Sequence, residues 1–350
     1  MLPRFDESEM KVLRHDVIPG VYGYPDTVIP VLNQPITPKE NMLRYLRGED
    51  PLWMPDLQRD CATVCPYVFP DNSARAFGGT DCFGIQWKQE PNIGAAMVKP
   101  GTRRLSDITK WREELEWMDP WNIDWQRDFD EHYANALTPE RFTSFVILNG
   151  FFERTADLTS FEDAFCYLLE EPEALEEFYD SLTDWHIELI KVAKQIYHAD
   201  MILFHDDMGS QKSAFFSSEL YREILMPHYR KVTKAAHDMG LYISLHSCGN
   251  VGIHIQDFID AGFDGWEGQN IINDKQTIMD KFGDRLFQTA FEVIDPGISD
   301  EAAIAHMHDL VDGLGKTRRF LPSVMAFGER SVSVADELYR YSRIRYCGKN

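Results

Sequence analysis

His246-Ser247-Cys248 is the segment of this sequence best suited to chemistry. Residues two apart on an extended segment point the same way, so an imidazole and a thiolate there can reach one metal ion. The competing reading is a buried thiol beside a hydrogen-bonded histidine, a common state for an unoxidised cysteine. A second polar stretch is His205-Asp206-Asp207-Met208-Gly209-Ser210. Its paired aspartates either cap a helix or turn, or supply a carboxylate that orients a substrate donor or holds a metal; Asp207 is the preferred one of the two. Glu292 lies among apolar residues on a predicted strand, where an unpaired carboxylate is costly. It is therefore either paired with an arginine or part of a site. Asn149, with Glu153 and Arg154 close behind, and Glu267-Gly268-Gln269-Asn270 complete the polar set.

Other motifs carry less. Cys61 and Cys65 have no matching second pair for a four-ligand metal site and read as ordinary thiols. Trp111, Trp117, Trp121 and Trp125 read as packing under a long loop. Gly78-Gly79 and Gly249 do not make a phosphate loop, and neither a nucleophile elbow nor a His-Glu-x-x-His motif is present.

These stretches become one site only if the intervening elements gather them. From about residue 140, apolar runs alternate with helical segments. The runs lie near 144–151, 201–204, 241–245, 263–266, 285–290 and 319–324, and the clearest helices at 173–197, 218–239 and 299–314. Repeated strand–helix alternation means a parallel sheet, and its length suits an α/β (β/α)8 TIM barrel with a decorated N-terminal third. Chemistry in such a barrel sits at the C-terminal strand ends, where the polar stretches fall. Thr37 and Pro38 should start a helix, with Glu40 completing a capping box and Gly48 ending it. Leu52-Trp53-Met54-Pro55 reads as a short strand and 72–105 as inserted hairpins. Pro227 should divide the middle helix, and Gly240 should stop it in a left-handed turn. The organisation expected is an N-terminal arm over 1–36, wrapping the body or a partner and suggesting a homodimer, followed by one barrel domain over 37–350.

Composition narrows the partners. The 350 residues carry 35 Lys+Arg against 57 Asp+Glu, a formal charge of −22. Such acidity repels phosphate backbones and anionic lipid, which argues against nucleic-acid or membrane partners. At 44% hydrophobic and 13% aromatic, the chain is too apolar for a disordered acidic protein. No run approaches the ~20 apolar residues of a membrane span. With six sparse cysteines and no signal-peptide pattern at Met1–Asp6, a cytoplasmic location is expected.

Taken together, 205–210, 246–250, the Gly262-Phe263-Asp264 step, Asp81-Cys82-Phe83-Gly84 and the Thr37–Pro51 opening resemble the uroporphyrinogen decarboxylase superfamily, from about residue 37 to 346. The resemblance implies a (β/α)8 barrel and one of two chemistries. Decarboxylases of the family anchor a polycarboxylate porphyrinogen with an early arginine pair, whereas Trp53–Asp60 here holds Arg59 alone; Arg103-Arg104 and Arg318-Arg319 are the other basic pairs. The second branch moves a methyl group between a small substrate and a corrinoid protein, with zinc on a His-x-Cys and a later cysteine. His246 and Cys248 match the first part, and Leu321-Pro322-Ser323-Val324 lacks the last cysteine.

The reading adopted is a zinc-assisted methyltransferase that takes methyl from a small methoxy or methylamine compound and delivers it to a corrinoid carried by a partner protein. Its expected site places Zn2+ on His246, Cys248 and Glu292, with Asp207 and Glu153 catalytic. Asp206, Asn149, Glu267 and Gln269 would bind substrate. A porphyrinogen carboxy-lyase is the alternative, and a catalytically silent binding barrel the third.

Overall fold

The C-terminal two thirds of the chain alternates strand and helix as its apolar runs require. A computed structural model describes residues 2–90, 95–269, 272–326, 328 and 330–348. An antiparallel ribbon of β1 (Val12–Ile18) and β2 (Thr27–Leu32) precedes β3 (Cys61–Val64). A small antiparallel sheet follows, built of β4 (Gly79–Thr80), β5 (Gln86–Glu90) and β6 (Ala95–Val98). The remaining strands are β7 (Phe142–Ile147), β8 (Met201–His205), β9 (Tyr242–His246), β10 (Gly265–Glu267), β11 (Phe287–Val293) and β12 (Phe320–Met325). One curled parallel sheet holds seven of them in chain order, β3-β7-β8-β9-β10-β11-β12.

The expected eight-strand closure is not what the described residues contain. Leu52–Pro55 is buried but forms no strand: the Asn41 side chain takes the Leu52 N–H at 2.7 Å and donates to the Trp53 carbonyl at 3.0 Å. The first strand of the sheet is instead Cys61–Val64. Side chains bridge the seam between β12 and β3: Asp56 accepts the Val324 N–H at 3.0 Å, and Gln58 donates to Ser323 Oγ at 2.7 Å. Pro322 lacks an N–H, and residues 57–60 form a helical turn, so no regular ladder spans this gap.

Register sorts the inner face from the outer. His205, His246, Glu267 and Thr289 are neighbours across β8, β9, β10 and β11, and their side chains meet, so this parity points inward. The helix Pro38–Arg47 plugs the opposite end, packing Met42, Tyr45 and Leu46 against Cys61, Phe142, Met201, Phe287 and Leu321. Thr37 caps it and Gly48 ends it at φ 69°, as expected; Glu40 pairs with Arg44 at 2.9 Å rather than closing a capping box. The helices Pro172–Gln195 and Met226–Asp238 cover the outside. Before the second, residues 221–225 form a widened turn ahead of Pro227, and Gly240 takes the left-handed conformation.

The first 36 residues wrap their own chain. Ile18 and Ile29 pack on Ala62 and Ala136, the Phe5 N–H reaches the Gly348 carbonyl at 2.9 Å, and buried Arg343 holds Glu9 at 2.7 Å. The insertion over 72–105 is the small sheet plus the end of the helix Pro70–Phe77. Buried Arg154, on the helix Phe151–Leu158, pins it to the curled sheet's helical layer through Asp71 and through Asp81 at 2.9 Å. No described helix is long and apolar enough to cross a membrane.

Candidate active site

Two adjacent parallel strands, β8 and β9, both end in histidine. In-register pairing sets His205 beside His246, and their rings stack with centroids 3.7 Å apart and planes 12° from parallel. Each ring has a carboxylate at its Nδ1. Glu267 lies 2.6 Å from His246 Nδ1, and Glu153 lies 3.3 Å from His205 Nδ1. A carboxylate beside Nδ1 keeps a proton on that nitrogen, which makes Nε2 the nitrogen that can serve as a ligand atom.

Around His246 Nε2 lie the Cys248 sulfur at 3.3 Å and an Asp207 oxygen at 3.7 Å. The same Asp207 oxygen accepts the Cys248 N–H at 2.7 Å, which locks the two residues together. His205, Asp207 and His246 offer ligand atoms that all lie within 4.8 Å of one another. Gly249 makes the turn after Cys248 at φ 85°, and a Cβ there would stand 2.1 Å from the Gly209 main chain. Only glycine permits that approach. Gln269 then holds the turn by accepting the Gly249 N–H at 3.2 Å.

The electrostatics follow from burial and these partners. Burial opposes charge on His246, but Cys248, Glu267 and Asp207 outweigh it and raise the pKa of the ring well above the histidine range. His205 is pushed down by burial and by its charged neighbour His246. Burial opposes ionisation of Glu153 and Glu267 too; Arg75 and His205 hold the first ionised, and His246 the second. The donor set of two imidazoles, a carboxylate and a thiol, with carboxylates behind the imidazoles, suits zinc. A zinc ion would take the place of the proton that His246 Nε2 shares with Cys248.

The expected site residues divide. The structure brings His246, Cys248, Asp207, Glu153, Glu267 and Gln269 together, with Glu267 orienting His246 and Gln269 holding the loop. Asn149 adopts φ 56° and accepts Arg75 Nε at 3.1 Å, so it supports the arginine that grips Glu153 at 3.0 Å. Asp206 does not face the mouth. It caps the helix Phe151–Leu158, taking the N–H groups of Phe151, Phe152 and Glu153 at 2.6, 3.1 and 2.9 Å and the Tyr229 hydroxyl at 2.6 Å. Glu292, expected as a metal ligand, is three residues beyond Thr289 and so has the opposite parity. It lies against the outer helices, 3.0 Å from Lys275 and 3.5 Å from His306. Asn270 lies outside the described residues.

His205, Arg75 and Tyr22 enter the neighbourhood without having been singled out. For His205 a signal existed: it ends its strand as His246 ends the next one. Arg75 and Tyr22 reach the mouth from the insertion and the N-terminal ribbon, and no local pattern marks them.

With this geometry in place, the chain can be set beside known proteins. The family model described as uroporphyrinogen decarboxylase (URO-D) matches residues 82–287, and the chain belongs to that family. No curated protein matches the sequence. A methyltransferase from Methanosarcina mazei superposes with a TM-score of 0.62 at 16% identity, covering 87% of this chain and 98% of its own. An intracellular xylanase from Thermoanaerobacterium saccharolyticum reaches a TM-score of 0.40 at 10% identity, over 76% of this chain and 77% of its own. At 16% identity the likeness to the methyltransferase is one of fold.

Proposed function

We propose that this protein is a zinc-assisted methyltransferase that moves a methyl group from a small methoxy or methylamine compound to a corrinoid carried by a separate protein. The observation that supports it is the convergence of His246 Nε2, Cys248 and Asp207, with His205 stacked alongside. The family includes metal-free decarboxylation, but that chemistry has no use for a half-buried imidazole–thiol pair backed by a carboxylate. The solved methyltransferase of the same fold is in keeping with this choice.

In this reading His246, Cys248 and Asp207 hold the zinc, and His205 supplies a fourth donor in place of the missing late cysteine. Zinc bound there would act as a Lewis acid on the oxygen or nitrogen that loses the methyl group. Glu267 and Glu153 fix the ring orientation of the two histidines. Glu153, kept ionised by Arg75, is an orienting group and not a proton donor. Asp207, the more exposed carboxylate, faces the entering substrate.

The arginines that could hold a polycarboxylate are engaged elsewhere. Arg59 pairs with Asp336 at 2.7 Å, Arg103 with Asp163 at 2.8 Å and Arg318 with Asp50 at 2.6 Å. Arg104 bonds the Phe83 carbonyl at 2.9 Å, and Arg319 bonds the Leu46 carbonyl at 2.7 Å, at the plugged end of the barrel. Arg75 does reach the mouth, but it serves Glu153. This arrangement favours a neutral or cationic methyl donor over a porphyrinogen.

The test is elemental analysis of metal-replete protein, followed by spectroscopic screening of cob(I)alamin methylation with methoxyarenes, methylamines and glycine betaine. Stoichiometric zinc and turnover lost in His246→Ala are expected. Absence of zinc, with methyl transfer intact in His246→Ala, would overturn the reading. Porphyrinogen turnover without metal would establish the decarboxylase instead.

A further inference from the structure

The turn that joins β1 to β2 reaches the C-terminal end of β3, where Tyr67 follows that strand. Tyr22 stands in that turn at φ 52°, a left-handed conformation that a tyrosine adopts only when its surroundings hold it there. They do so at several points. The Gly20 carbonyl accepts the Tyr67 hydroxyl at 2.9 Å, the Gly20 N–H bonds Asp26 at 3.1 Å, and the Tyr24 N–H closes on the Val21 carbonyl at 3.0 Å. Below the turn, Ile18 and Ile29 anchor the ribbon on Ala62 of β3.

Tyr22 is half-buried, and its phenol lies against the Cys65 thiol, with Arg75 and Glu267 near enough for their charges to act on it. Cys65 directly follows β3. By register it continues the parity of Thr63, which pairs with Ser144, and that parity is the inward one. Glu267 orients His246 and Arg75 holds Glu153. Tyr22 therefore approaches the residues that support both histidines, although it comes from a part of the chain outside the curled sheet.

We propose that Tyr22 forms one wall of the barrel mouth and narrows it beside Cys65, so that the site admits small molecules and excludes flat macrocycles. The N-terminal ribbon is in this view a specificity element that completes the site, and its apolar anchors exist to hold one side chain in place. The role concerns access, and it stands whether or not the two histidines carry a metal.

Thiol labelling resolved by mass spectrometry tests this on the full-length chain, because the cysteines supply their own controls. Cys166 is exposed and Cys61 is buried at the plugged end, so the first must label and the second must not in any folded variant. N-ethylmaleimide serves as the small probe and fluorescein maleimide as the large one. In the wild type and in Tyr22→Phe, Cys65 should stay protected from both. In Tyr22→Ala its labelling by the small reagent should rise about tenfold or more, and the large reagent should gain entry, while Cys61 stays protected. Tyr22→Leu, which keeps an apolar side chain for folding, should give an intermediate rate. Protection of Cys65 in both Tyr22→Ala and Tyr22→Leu would overturn the proposal. So would labelling of Cys61 along with Cys65 in both variants, which would make Tyr22 a general prop of the fold.

Discussion

His205 and His246 stack ring on ring at 3.7 Å yet turn their Nδ1 atoms to different carboxylates, Glu153 on one side and Glu267 on the other. Two imidazoles this close cannot both carry a proton on Nε2 without strong repulsion, and His205 is accordingly the one held neutral. A divalent cation held by both Nε2 atoms would remove the conflict, because each nitrogen would then offer a lone pair in place of a proton.

The two histidines should consequently differ in how much metal binding they support. His246→Ala loses the ligand that Cys248 and Asp207 surround, and stoichiometric zinc should be lost with it. His205→Ala keeps the other three donors and should retain zinc with affinity lowered by about 100-fold or more, since a direct donor contributes at least as much as an outer partner. Competition titration with a chromophoric chelator measures both. Equal affinity in His205→Ala and wild type would remove His205 from the donor set.

Glu267 offers a test that leaves every proposed ligand in place. Glu267→Gln keeps the shape and the acceptor for His246 Nδ1–H but removes the charge that makes the ring a stronger donor. Zinc affinity should fall about 10–100-fold, while the stability of the metal-free protein, measured by unfolding, changes by no more than about 1 kcal/mol. An unchanged affinity would mean that the contact to His246 at 2.6 Å has no bearing on metal binding.

Asp206 should behave as a structural residue. Its carboxylate serves three main-chain N–H groups at the start of the helix Phe151–Leu158 and the Tyr229 hydroxyl. Gly150 keeps that approach open, since a Cβ there would lie 2.6 Å from the Asp206 carboxylate. Asp206→Ala should cost about 2–4 kcal/mol, combining a lost helix cap with buried donors left unpaired. Tyr229→Phe should cost about 1 kcal/mol. Denaturant unfolding measures both. A fully stable Asp206→Ala protein that no longer takes up zinc would restore a direct role at the site.

How far the sequence revealed this arrangement depended on whether periodicity or tertiary placement decided each feature. Six of the sheet's seven strands lie on the apolar runs, because a strand buried on both faces reads as a continuous hydrophobic stretch. The strand Cys61–Val64 is only four residues long and was hidden behind Leu52–Pro55, which is just as apolar, and the helical turn Leu57–Asp60 that separates them. His246 and Cys248 were legible because their spacing matches the period of an extended chain. Glu292 was misplaced because apolar flanks cannot reveal which face of β11 a side chain takes, and a one-residue change of parity moved it from the mouth to the outer helices. Arg75 and Tyr22 were illegible in principle: each reaches the site by the path of its own excursion, and only the folded chain fixes that path.

Asp157 supplies a pH signature that does not depend on any metal ligand titrating. It follows Glu153 by one helical turn on the same face, and its Oδ2 is buried without a hydrogen-bond partner among the described residues. Burial pushes its carboxyl up to about 7; Arg75 opposes the shift and Glu153 reinforces it. Because the folded protein holds this proton more tightly than the unfolded chain does, the contribution of Asp157 to stability is full below the unfolded carboxyl range. It is lost as pH rises towards 7 and beyond. Asp157→Asn, which fixes the neutral form, should therefore gain stability over the wild type on the order of 2 kcal/mol at pH 8 and little at pH 4.5. Thermal unfolding of both proteins across that range measures the difference. A pH-independent gap between them would show that Asp157 is already ionised in the folded state at pH 4.5, with Arg75 and not burial deciding its charge.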